Sequence, residues 1–199
     1  MQNRILVIFA HPLFEKSRIH KALIRQIPAQ VTFHDLYEKY PEFNIDIEAE
    51  KQLLLDHDTI IWQHPIYWYS CPALLKQWID LVLEAGWAYG PGGDALKDKV
   101  IFQVVSSGGQ SASYQHEGHN RFTINEFLAP FDRTAELCRM TYLPPFVVHG
   151  SHRLGNEEIS AAAIKYGDLL DYLSKNQPDH AAIKQHKYLN DWANQNAIS

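Results

Sequence analysis

Four segments of the chain, residues 5–10, 59–64, 100–106 and 145–149, are built on near-continuous apolar runs of strand length, rich in Val, Ile and Phe. Such a run is covered on both faces, the situation of a strand inside a parallel sheet. A fifth segment, 31–36, alternates apolar and polar residues and suits a sheet edge. Between these runs lie longer amphipathic segments of helical period, at 18–27, 47–56, 72–83, 123–139 and 157–174. Five strand and helix alternations specify an α/β chain with a parallel sheet sandwiched between two helical layers. The helix starts are marked chemically. Ser17 precedes the first helix, Pro72 suits a first turn, and Asn156 followed by Glu157 and Glu158 reads as a cap with two carboxylates at the positive end. In that last helix Ile159, Ala163, Tyr166, Leu170 and Leu173 recur as one buried stripe.

With 199 residues, 46% of them hydrophobic, the chain fits one globular domain, assigned to residues 1–175. Residues 176–199 turn polar. Ile183, Tyr188, Leu189 and Trp192 leave two readings open there, a short docked helix or a frayed extension. The net charge of −5, from 18 basic and 23 acidic residues, disfavours a nucleic-acid binder. Two cysteines make no disulfide framework, and neither a signal peptide nor a membrane span is legible, so the expectation is a reduced, cytoplasmic, soluble protein.

In open α/β sheets ligands bind beyond the carboxyl ends of the strands, which directs attention to three loops. After the first strand, His11, Ser17 and Arg18 stand beside a helix N-terminus, a setting that suits phosphate. The loop has neither the P-loop pattern nor G-x-G-x-x-G, and Ser17 serving only as a cap is the competing reading. After the third strand, Tyr67, Trp68 and Tyr69 lie between Pro65 and Pro72. Neighbouring side chains of an extended segment point in opposite directions, so these three cannot all enter one core. After the fourth strand, Gly108 and Gly109 let backbone approach a ligand closely. His116 and His119 lack metal-site spacing, and no cysteine or serine nucleophile motif is present. A phosphate cradle, a flat aromatic wall and a glycine-backed edge together describe a mononucleotide pocket, most simply one for FMN.

Several motifs, strung in order, carry a family resemblance. They are Ala10-His11-Pro12 with Ser17; Asp35-Leu36-Tyr37; Tyr40-Pro41 with Phe43, Ile45 and Asp46; Gln63-His64-Pro65 with Trp68-Tyr69-Ser70; Pro72 to Lys76 with Trp78-Ile79-Asp80; and Gly86 to Gly90 with Gly92-Gly93. Across residues 4–173 the chain resembles the flavodoxin-like NAD(P)H:quinone oxidoreductases related to DT-diaphorase. Within them it is most similar to the branch of ancillary subunits of glutathione-gated Kef potassium-efflux systems.

The resemblance implies a five-stranded parallel sheet of order 2-1-3-4-5 and FMN, with FAD the weaker candidate, reduced by NAD(P)H and reoxidised by a quinone. It implies a homodimer and, as the alternative function, a regulatory subunit that binds and activates a membrane potassium antiporter. Carried over by position, His11, Ser17 and Arg18 hold the flavin phosphate with His20 nearby, and Ile66, Tyr67, Trp68 and Tyr69 frame the ring. Ser106, Ser107, Gly108 and Gly109 line its pyrimidine edge, where donors face the charge gained on reduction. Tyr114 and His119 are the catalytic candidates, His119 standing one position from the family histidine. No metal is implied. His20 replaces a frequent Asn of the family, and Ser106 and Ser107 replace paired threonines; all three keep their hydrogen-bonding ability.

Overall fold

Every pairing in the sheet is parallel, and the register carries each strand's carboxyl end to the same side. A computed structural model describes residues 3–196 and 198. Its strands are β1 (Ile5–Phe9), β2 (Thr32–Asp35), β3 (Thr59–Pro65), β4 (Val100–Ser106), β5 (Thr141–Tyr142) and β6 (Phe146–Val148). The order is β2-β1-β3-β4, with β5 and β6 both pairing with β4. The fifth strand expected at 145–149 is β6, and β5 is an additional short strand ahead of it. Pro144 and Pro145 stand between the two, and a residue without an N–H cannot continue a ladder.

The helices are α1 (Arg18–Arg25), α2 (Leu36–Lys39), α3 (Ile47–Leu55), α4 (Ala73–Val82), α5 (Ile124–Leu137), α6 (Asn156–Lys175), α7 (His180–Ile183) and α8 (Leu189–Gln195). Side chains of opposite pleat parity enter different cores. Leu6, Ile8, Trp62 and Val105 meet Trp78 of α4 and Phe131 of α5, while Val7, Ile61 and Val104 meet Leu23 of α1 and Tyr166 of α6. One carboxylate is buried in the first core. Glu50 of α3 accepts from Tyr40 (2.6 Å), His34 (2.8 Å) and the Trp78 indole (2.7 Å), so its charge is met by three donors.

Three expectations about local structure are corrected. Leu36 does not end β2 but begins α2, because Asp35 caps that helix by accepting from the N–H groups of Tyr37 and Glu38. Asn156 lies inside α6, where Gly155 is the N-cap and its N–H donates to Glu158 at 2.8 Å. Pro72 likewise sits at the cap rather than in the first turn of α4. The tail takes the docked form, as two short helices rather than one: Ile183, Leu189 and Trp192 are buried in the second core.

Candidate functional site

A cleft of about 470 Å³ opens beyond the carboxyl ends of β1, β3 and β4, a size ordinary for a small-molecule site. Its lining includes His11, Lys16, Ser17 and Arg18 from the first loop, Pro65 to Tyr67 from the third, and Ser106 and Gly108 from the fourth. No carboxylate is among the lining residues, whereas two cations and two imidazoles are. That balance favours an anion.

The first loop is built to donate. Ser17 caps α1 by accepting from His20 N–H at 3.1 Å, which leaves its own hydroxyl hydrogen free. His11 Nδ1 accepts from Leu13 N–H at 3.2 Å, so the neutral ring carries its proton on Nε2. Burial pushes the His11 pKa down, against the smaller opposing effect of Glu15. Arg18 reaches across to Asn156 at the start of α6 (2.8 Å).

Ser106 is set by a buried chain of hydrogen bonds. Tyr166 donates to Gln63 Oε1 (2.8 Å), Gln63 Nε2 donates to His20 Nδ1 (3.3 Å), and His20 Nε2–H is left to donate to Ser106 Oγ (3.0 Å). Ser106 can then turn its hydrogen into the cleft. His20 is fully buried and does not line the wall; it holds Ser106 from beneath. Burial, with His11 and His64 nearby, drives its pKa well below the ordinary value, so it stays neutral. On the opposite face of β3, His64 is also buried, with its pKa pushed down to about 4, accepting on Nε2 from Gln103 at 3.1 Å.

The aromatic wall takes an unusual turn. Tyr67 and Ser70 exchange both main-chain hydrogen bonds at 3.0 Å, and the two residues between them, Trp68 and Tyr69, have φ of 48° and 64°. A two-residue turn with both central φ positive normally calls for Asn and Gly. Here it throws Trp68 outward, 94% exposed, and lays Tyr69 beside Phe127 of α5 at 5.0 Å. Phe127 also meets Phe122 (5.8 Å) and Tyr114 (6.2 Å), so loops three and four share one aromatic cluster.

Tyr114 is buried and packs against the ring of His149, while His119 is exposed on the same loop with no hydrogen bond among the described residues. Of the residues expected at the site, Ser107, Gly109, Trp68, Tyr69, Tyr114 and His119 lie outside the cleft lining, as His20 does. The fourth wall of the cleft comes from Ser151 and His152, in the loop after β6. That loop has no motif, and sequence reasoning confined to loops one, three and four passed it by. Gly108 is what admits it: a Cβ there would stand 2.9 Å from His152 Nε2. The signal available was the paired glycines.

Residues 3–170 match a family described by its flavodoxin-like fold. The chain belongs to that family. A relative in Erwinia tasmaniensis, the glutathione-regulated potassium-efflux system ancillary protein KefG, is 42% identical over 172 residues, which is 84% of this chain and 92% of the relative. The general stress protein 14 of Treponema denticola, solved in complex with FMN, is 42% identical with a TM-score of 0.81, covering 85% of this chain and 99% of that one. A structure described as NADPH-quinone reductase from P. pentosaceus is 33% identical with a TM-score of 0.78, covering 88% and 99%. The family match supports the sheet order expected from the flavodoxin-like resemblance, which the strand pairings display.

Proposed function

We propose that this protein is an FMN-dependent NAD(P)H:quinone oxidoreductase. One observation carries the reading. The cleft combines free donors and cations at the start of α1 with a flat wall and a glycine edge at the ends of β3 and β4, and no lining residue is a carboxylate. FMN needs all of these at once, for its phosphate and for its ring. The residues fit it: the Ser17 hydroxyl, His11 Nε2–H, Lys16 and Arg18 take the phosphate, Ile66 and Tyr67 frame the ring, and Ser106 and Gly108 offer donors to its pyrimidine edge. When bound, FMN supplies two-electron chemistry, accepting hydride from NAD(P)H and passing the electrons to a quinone. The chain's part is to hold that ring, to face its reduced charge with fixed donors, and to deliver protons to the acceptor from Tyr114 and His119. Named relatives add support, one solved with FMN and one called an NADPH-quinone reductase.

The same reading includes a homodimer. Trp68, Tyr69 and Phe122 are exposed around the aromatic cluster, an apolar surface that a second copy would cover. A second role, as a cytoplasmic subunit that activates a membrane potassium antiporter, is favoured by the likeness to KefG and coexists with the enzyme activity. Among the described residues no helix is long and apolar enough to cross a membrane, so attachment there would run through the partner.

The deciding experiment is the visible spectrum of the purified protein with FMN, followed by anaerobic titration with NADPH and with NADH. Bound flavin bleached by one equivalent of either is the expected result. Bound flavin that both leave oxidised would remove the enzyme reading and leave the regulatory one.

A further inference from the structure

The loop after β6 is zipped to the glycine loop. Ser107 N–H donates to Val148 (3.0 Å), Ser151 N–H to Ser107 (2.9 Å) and Gly150 N–H to Gly109 (2.9 Å). Side chains add a further link, because Ser107 Oγ lies 3.0 Å from the Gly109 carbonyl oxygen and 3.0 Å from His149 Nδ1. A hydroxyl has one hydrogen and a carbonyl oxygen only accepts, so that hydrogen goes to Gly109. His149 must then donate its Nδ1–H to Ser107. The Gly109 carbonyl thus receives two donors, Gly150 N–H and the Ser107 hydroxyl. The other ring nitrogen, His149 Nε2, is buried and has no hydrogen-bond partner among the described residues. Tyr114 packs on the same ring at 5.6 Å, and Tyr188 of the tail at 5.8 Å.

We infer that His149 is a positioning residue of the flavin site: through Ser107 it sets the Gly109 carbonyl, and with it the direction in which the glycine-loop N–H groups face the cofactor. The inference rests on the flavin reading above. It assigns a task to a residue outside the cleft lining, beyond the proposed proton donors Tyr114 and His119. Burial keeps the ring uncharged, its pKa lowered to about 4 with Lys187 adding to the effect, so the donor to Ser107 is a neutral N–H. Through Tyr188 the tail, which lies beyond the family match at 3–170, presses on the same ring.

A packing role and a positioning role predict opposite orders of damage. Phe keeps a ring but has no donor, whereas Asn loses the ring and places its amide N–H where Nδ1 stands. The test is the FMN dissociation constant, read by quenching of flavin fluorescence, for wild type, Ser107→Ala, His149→Phe, His149→Asn and the Ser107→Ala/His149→Phe pair. Positioning through the serine gives affinity about tenfold weaker in Ser107→Ala and in His149→Phe. The pair should be no worse than either single change, and His149→Asn should bind near wild type. Wild-type affinity in Ser107→Ala overturns the inference, as does wild-type affinity in His149→Phe beside weakened His149→Asn. Should circular dichroism show His149→Phe unfolded, the nearly isosteric Ser107→Ala decides alone. A wild-type chain that binds no FMN overturns the flavin reading and this inference together, whereas wild-type binding with unaltered Ser107→Ala removes this inference only.

Discussion

Asn190 holds both main-chain groups of Val147, its Oδ1 accepting the N–H at 2.8 Å and its Nδ2 donating to the carbonyl at 3.2 Å. β6 ends the sheet on that side, and its outer edge would otherwise offer an unpaired donor and acceptor to any passing strand. The side-chain amide of α8 stands in for a neighbouring strand. Asn190→Ala should lower unfolding free energy by about 1–3 kcal/mol, read as the urea midpoint, and should raise the concentration-dependent association seen by size-exclusion chromatography. An unshifted midpoint would mean that α8 is not seated on the edge in solution.

The contrast between β6 and the tail shows what a sequence can disclose. A near-continuous apolar run marks a strand covered on both faces, and such runs mark β1, β3 and β4 almost to their ends. β5 is not legible in this way, since Thr141 and Tyr142 make too short a run. Leu36 continues the pattern of β2, yet Asp35 caps a helix that begins there. At the site, His11, Ser17, Arg18, Ile66, Tyr67, Ser106 and Gly108 reach the cleft as the motifs suggested. His152 gets there only through the zipper between two loops far apart in the chain, and His20 supports the site from a buried position that its place in the motif does not reveal. Such roles depend on three-dimensional hydrogen bonding, for which the chain order holds no period.

Acid should destabilise the fold from above the carboxylate range. His20, His64 and His149 are held uncharged mainly by burial, the last two with pKa values of about 4, against about 6.5 in an unfolded chain. Between those limits the unfolded chain binds protons that the folded chain refuses, so stability falls as pH falls, by up to about 1.4 kcal/mol per pH unit for each histidine. Glu50 works the other window. Burial raises its pKa, but the hydrogen bonds from His34, Tyr40 and Trp78 win and lower it, so its contribution holds above the ordinary carboxylate range and is lost below it. Urea midpoints should therefore drop steadily from pH 7 to pH 5, with a shallower drop in His64→Gln. A midpoint constant to pH 5 would mean that these rings are charged in the folded protein.

The phosphate placement can be tested without any turnover. Ser17 offers a hydroxyl hydrogen and Arg18 a guanidinium at the start of α1, both in the cleft wall. The double change Ser17→Ala with Arg18→Glu removes one donor and reverses one charge, and FMN affinity should weaken about a hundredfold or more. Loss of the cap costs the helix about 1 kcal/mol, too little to unfold the domain, so circular dichroism should be unchanged while the yellow colour is lost on gel filtration. Stoichiometric flavin retained by the folded variant would put the phosphate elsewhere.

Trp68 and Tyr69 occupy a backbone conformation that ordinary L-residues avoid, and they do so in succession. Strain of this kind persists only where the surroundings impose it, and the Tyr67 to Ser70 hydrogen bonds do so here. If the fold alone were at stake, Asn-Gly would serve better, since both accept positive φ at little cost. Trp68→Asn with Tyr69→Gly should therefore leave the protein as stable or stabilise it by about 1 kcal/mol, seen as a small rise in melting temperature. The same variant should self-associate more weakly in size-exclusion chromatography, because the turn would keep its shape while the exposed apolar surface lost two rings. A fall in melting temperature instead would mean that the contact of Tyr69 with Phe127 outweighs the strain.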